Sequence, residues 1–141
     1  MSTRVRGRLR RLRVAAAGSG ERGSTSVQMV ILMPVLFSVM FLGLQAALFY
    51  HARTVAIAAA QDGARAAGAE TGTASNGIAA ATSFIAAAGG PDVLENASVS
   101  GSRSATQASV TVRGLALSVI PGWSPIVEQS ATVPVERITT G

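Results

Sequence analysis

The 141-residue chain holds twelve arginines, no lysine, seven carboxylates, one histidine and no cysteine, for a formal net charge of +5. Without cysteine, disulfides and zinc–thiolate or thiol chemistry are excluded, and aromatics at only 4% leave few large side chains for a dense core. The charge is uneven: residues 1–23 hold seven arginines against Glu21, a net of +6, whereas residues 24–141 hold five arginines and six acids, a net of −1, and with no aromatic among the leading arginines nucleic-acid binding is not expected.

In chain order, residues 1–22 read as a flexible basic leader, because Gly18, Ser19 and Gly20 end any short helix begun before them. From Gly23 through Ala52 no residue carries a formal charge, and Arg22 and Arg53 bound the stretch. Val27 to Tyr50 is 24 residues, which at about 1.5 Å per helical residue reaches roughly 36 Å, enough for a hydrocarbon core of about 30 Å. Residues 24–52 are therefore predicted to form a transmembrane helix in contact with membrane lipid. Arginine outweighs on the leader side, so residues 1–23 are expected in the cytoplasm and residues 53–141 outside it. A cleaved secretory signal has a shorter apolar region of roughly 7 to 15 residues; Ala56-Ile57-Ala58 resembles its cleavage site, but an uncleaved outer end fits the longer span better.

Three residues interrupt the span. Pro34 has no N–H for the carbonyl of Val30 and loosens the helix there, while Gln28 and Gln45 lie near its two edges, open either to interfacial solvation or to hydrogen bonding with a neighbouring helix. Beyond it the helical pattern continues to Glu70. Ala52, Ala56, Ala60, Ala64 and Gly68 recur every four residues, a stripe of small side chains suited to close helix packing, or simply a run of good helix formers.

Thr71 to Ser75 breaks the pattern. Ser75 or Asn76 is the predicted cap of a second helix running to about Ala88, stopped by Gly89, Gly90 and Pro91, with Ile78, Phe84 and Ile85 facing inward. Period-two alternation then predicts strands at Ala97–Gly101, Ala108–Arg113 and Ala131–Ile138. Pro134 points to an edge position for the last. Between the second and third, two prolines and a glycine around Trp123 predict a loop, whose Leu115, Leu117, Val119, Ile120 and Trp123 are candidates for covering the core or for meeting a partner or the membrane surface. The expected fold is α+β and membrane-anchored: a long N-terminal transmembrane helix continuing into an amphipathic helix, a second short helix, and a small three-stranded antiparallel sheet.

No catalytic, cofactor-binding or metal site is expected. His51 is alone, Asp92 and Glu95 flank a turn, the serines lack a histidine partner, and no phosphate-binding glycine pattern occurs. The Asn96-Ala97-Ser98 sequon has meaning only in a glycosylating host. An anchored enzyme is thus not the reading.

The segment ERGSTSVQMVILMPVLF, followed by Arg53 and AAAQDGARAA, resembles the TadE-like family, pseudopilins of tight-adherence pili within the type IV pilin class. The resemblance runs over Glu21 to Ala67, and VTVRGLALSVIPGW and ATVPVERI are similar to the family's strand, proline-rich loop and final strand. It implies cleavage by a prepilin peptidase between Gly23 and Ser24, and assembly with other pilin and pseudopilin subunits. It also implies a glutamate five residues after the cut, pairing with a positive amino terminus; Gln28 stands there, able to accept a hydrogen bond but carrying no charge. The implied function is that of a pseudopilin or minor pilin of a Flp-type pilus or related secretion system. The other functional class is a signal-anchored envelope protein acting as a protein-binding module outside any pilus.

Overall fold

The computed structural model describes residues 20–137. Residues 1–19 of the basic leader and the end of the predicted last strand, from residue 138, lie outside the described residues, while residues 20–22, predicted as flexible leader, are helical. Helix α1 spans Gly20–Gly68 with Pro34 inside it, α2 spans Ala74–Ala87, and strands β1 (Leu94–Arg103), β2 (Gln107–Ala116) and β3 (Ile126–Pro134) follow a short 3-10 turn at Gly90–Asp92. The architecture is the expected α+β one. One helix among the described residues is long and apolar enough to cross a membrane, which suggests a single-pass anchor near the amino terminus.

Within α1, hydroxyls are turned back onto the helix. Ser38 Oγ donates to the Pro34 carbonyl at 2.7 Å and Thr54 Oγ1 to the Tyr50 carbonyl at 2.8 Å, so neither polar group needs an outside partner in apolar surroundings. Arg103 closes the far end: its guanidinium donates to the carbonyls of Ala67, Ala69 (2.6 Å) and Glu70 (3.2 Å), carbonyls that a helix terminus otherwise leaves open.

The cap of α2 differs from the one predicted. Thr73, in extended backbone, accepts from the Asn76 N–H at 3.1 Å. Ser75 and Asn76 lie two and three residues too late because the backbone turns helical at Ala74, which leaves the preceding threonine to take the orphan N–H. Only part of the predicted apolar face is inward: Ile85 is buried and Ile78 half-buried, but Phe84 is exposed, since Gly77, Ala81 and Ile85 define the buried row at four-residue spacing.

The sheet has the order β1-β2-β3, antiparallel throughout. β1 and β2 are longer than their alternating segments suggested, because backbone pairing continues past the pattern, whereas β3 is displaced: it starts at Ile126 and stops at Pro134, so that residues 135–137 of the predicted last strand are not strand. Leu115 and Ala116 pair with Glu95 and Leu94, and Leu115 also with Ile126, so both ends of the predicted loop are strand, including Ile126 to Ser130. The loop itself is Leu117 to Pro125, pinned at its neck by the Ala116 N–H donating to the Pro125 carbonyl at 2.9 Å. A bulge between Glu95 and Ser98 carries Asn96 at φ +50°, a conformation that asparagine tolerates better than most side chains. Pro134 ends edge strand β3 opposite Gln107.

The described chain falls into two compact units divided between Met40 and Phe41. In the first, the described side chains are exposed and almost all apolar beyond Val27. The second has its own core, in which Ala52, Ala56, Ala59, Ala60, Ala64 and Ala67 of α1 cluster with Ala81 and Ile85 of α2, Leu94, Val110, Val112 and Val127 of the sheet. Alanine supplies little area, but it lets backbones approach closely. A Cβ on Gly63 would stand 2.7 Å from the Gly77 carbonyl and one on Gly77 2.7 Å from the Gly63 carbonyl, so the two helices cross at a glycine pair.

Candidate functional site

Three features of α1 bear on function, and they divide by what surrounds them. Gly23 and Gln28, with Val27 and Pro34 of the predicted span, lie in the amino-terminal unit, exposed. Gly23 sits in the first turn of α1 and has open space on the side where a Cβ would project. For a peptidase to reach the bond to Ser24 this first turn must unwind. Terminal turns do so at small cost because their first N–H groups make no intrahelical bonds, and glycine adds the backbone freedom that the extended conformation requires.

The small-residue stripe has a different setting. Ala52, Ala56, Ala60, Ala64 and Gly68 are all buried, and they are buried within this chain, against its own second helix and sheet. Gly68 lies under Val133 and Pro134, where a Cβ would approach Val133 Cγ2 to 2.6 Å. The stripe is therefore the seam on which the sheet domain is built. The large apolar side chains that α1 leaves exposed lie from Val27 to Leu44, together with Tyr50, and its exposed polar ones include Gln28, His51, Arg53, Asp62 and Arg65.

Gln45 is the residue whose partner the sequence did not disclose. It is 3% exposed, the one buried polar side chain among the described residues, and its amide is matched at both ends by the loop that follows β2. Nε2 donates to the Leu117 carbonyl at 3.3 Å, while Oε1 accepts from the Val119 N–H at 2.9 Å. Ser118 Oγ lies 3.0 Å from Gln45 Oε1 and 3.0 Å from the Ile120 carbonyl, its one proton serving either, and accepts from the Ile120 N–H at 3.1 Å. Neither a neighbouring helix nor solvent is the partner of Gln45; a loop of its own chain is. Sequence spacing held no signal for a pair more than seventy residues apart.

That loop carries the exposed aromatic. Trp123 is 51% exposed and follows Gly122 at φ +78°, and Ile126, which opens β3, is 57% exposed. Leu117, Val119 and Ile120 are half-buried. Elsewhere a groove of about 260 Å³ opens between α2 and β1, lined by Ile78, Ile85, Leu94 and Val99 among others. Among the described residues no group of three or more histidine, cysteine, aspartate or glutamate side chains is placed to hold a metal.

Residues 23–65 match the family model described as TadE-like protein. The match opens on Gly23 and closes within the buried stripe of α1. No curated protein and no solved structure matches the chain.

Proposed function

Starting from the TadE-like match over residues 23–65, which ties the chain to tight-adherence pilus systems, we propose that it is a pseudopilin or minor pilin of a Flp-type pilus or a related secretion system. Its leader stays in the cytoplasm, α1 crosses the bilayer once, and the sheet domain lies outside. A prepilin peptidase removes the leader after Gly23, and Ser24 becomes the amino terminus. The observation that carries this reading is where the match begins: at the glycine after which such a peptidase would cut, directly before the uncharged span.

The way subunits associate follows from what is already occupied. Because the stripe from Ala52 to Gly68 is consumed by the chain's own domain, packing against other pilin subunits falls to the membrane half of the helix, Val27 to Leu44, by van der Waals contact and by the Gln28 amide. At Gln28 the amide oxygen accepts a hydrogen bond from the new ammonium terminus of a neighbour in place of the ion pair that a glutamate would make.

Intact-mass spectrometry of the protein extracted from membranes tests the reading: a mature chain beginning at Ser24 is expected. An unprocessed terminus, or a start elsewhere, overturns the pilin reading and favours a signal-anchored binding module, for which the missing carboxylate at position 28 is the specific supporting observation.

A further inference from the structure

We infer that the Leu117–Ile126 segment is a second membrane contact, in which Trp123 and Ile126 seat in the boundary between headgroups and acyl chains beside the outer end of the α1 span. The inference rests on the single-pass anchoring of α1 proposed above and adds a surface to it. Its first support is the position of Gln45. Among the exposed apolar side chains that run from Val27 to Leu44 and resume at Ala46, Gln45 is a buried amide whose hydrogen bonds all go to the loop. The loop is thereby held beside the outer part of the span, five residues before Tyr50. In sequence, Gln45 lies in the last quarter of the uncharged Val27–Tyr50 stretch, and at about 1.5 Å per helical residue it is roughly 8 Å short of Tyr50, within the depth of the headgroup and acyl-chain boundary.

The second support is composition. No charged residue occurs between Arg113 and Glu128, so nothing in the loop resists entry into an interface where a charge would be costly. Trp123 is the only tryptophan in the chain, and its ring, with an apolar body and one N–H donor, is of the type enriched at that depth. Tyr50 of α1, 62% exposed, adds an amphipathic aromatic about a turn beyond Gln45. The clasp also relieves α1 of a cost, since an unpaired amide at this depth would otherwise face lipid. One interaction thus hides a polar side chain and sets the depth of a tryptophan.

Because Trp123 is the only tryptophan, the full-length protein reports on it without labelling. In vesicles of zwitterionic and anionic phospholipid, its emission should be shifted to the blue, and lipid brominated near the headgroup end of the acyl chain should quench it roughly two-fold, more than lipid brominated near the methyl end, as a depth of about 5–10 Å requires. Gln45→Leu, which keeps the helix apolar but frees the loop, should still float with the vesicles while losing most of that quenching. Wild-type protein that floats with the vesicles but shows unquenched emission overturns the inference and leaves the anchor standing; blue-shifted emission without quenching does the same, by placing Trp123 against protein. Quenching that Gln45→Leu leaves unchanged overturns the role of the clasp. Failure of the wild type to float overturns the anchor, and the inference with it.

Discussion

Arg103 does at one residue what a dedicated capping motif does elsewhere. Reaching from the end of β1, its guanidinium gathers the carbonyls of Ala67, Ala69 and Glu70 where α1 terminates, and its positive charge faces the negative end of the helix dipole. The Glu136 N–H donates to the Gly68 carbonyl at 2.9 Å, so the last turn is held both from β1 and from the segment just past β3. Arg103→Ala should destabilise the domain by about 1–3 kcal/mol, the cost of leaving partly buried carbonyls unpaired. Arg103→Lys should recover only part of this, since an ammonium lacks the planar fork that spans several acceptors. Thermal unfolding of the full-length protein in detergent, followed through Trp123 emission, measures both. Gln28 invites the opposite experiment. A charge-assisted bond is stronger than a neutral one by about 1 kcal/mol, roughly a five-fold change in an equilibrium. Gln28→Glu should therefore raise the amount of this subunit in sheared filaments by about that factor, as read by immunoblot. An unchanged amount means that the missing carboxylate does not limit assembly.

At the scale of elements, the crossing of α1 and α2 depends on having no side chain at either of two positions. An alanine at Gly63 would meet the Gly77 carbonyl at 2.7 Å and Ala81 Cβ at 2.9 Å, closer than such atoms pack, whereas one at Gly43 would meet nothing within 4 Å. Gly63→Ala should thus cost about 1–3 kcal/mol through forced separation of the helices, while Gly43→Ala should leave stability unchanged or raise it by up to about 1 kcal/mol through helix propensity; denaturant titration of the two variants separates these signs. The glycine pair also marks what a sequence can disclose. Both helices, the three strands and the edge position of Pro134 were legible because they rest on local chemistry: alanine periodicity, glycine and proline stops, and alternation. Strand ends were not, since Leu115, Ile126 and Val127 are held by cross-strand partners rather than by their own pattern. The Gly23–Gln28 region was singled out by resemblance to the TadE-like family, whose model match opens at residue 23. The Gln45 clasp and the Arg103 cap were not, because their partners lie about thirty to seventy residues away, and nothing in the spacing of a glutamine or an arginine names a distant carbonyl.

For the molecule as a whole, the distribution of charge and the absence of cysteine combine into a test of orientation. The proposed topology depends on arginine near the two ends of the span: seven residues on the leader side against Arg53 and Arg65 soon after it, with Asp62 between them. Replacing Arg8, Arg10, Arg11 and Arg13 with glutamine leaves Arg4, Arg6 and Arg22, three against two, and removes most of the bias. A substantial share of the chains should then keep the sheet domain in the cytoplasm, while replacement of Arg53 and Arg65 should strengthen export. Protease added to spheroplasts reads the outcome as the fraction of domain degraded. That readout is unusually clean here because the domain closes its core with alanine and valine and contains no disulfide; its folding does not depend on an oxidising compartment. Protection then reports the side of the membrane and not a difference in folding. If the depleted leader leaves export unchanged, the arginines do not set the orientation, and their remaining role is contact with anionic headgroups, which salt-dependent vesicle binding of the leader variants would reveal.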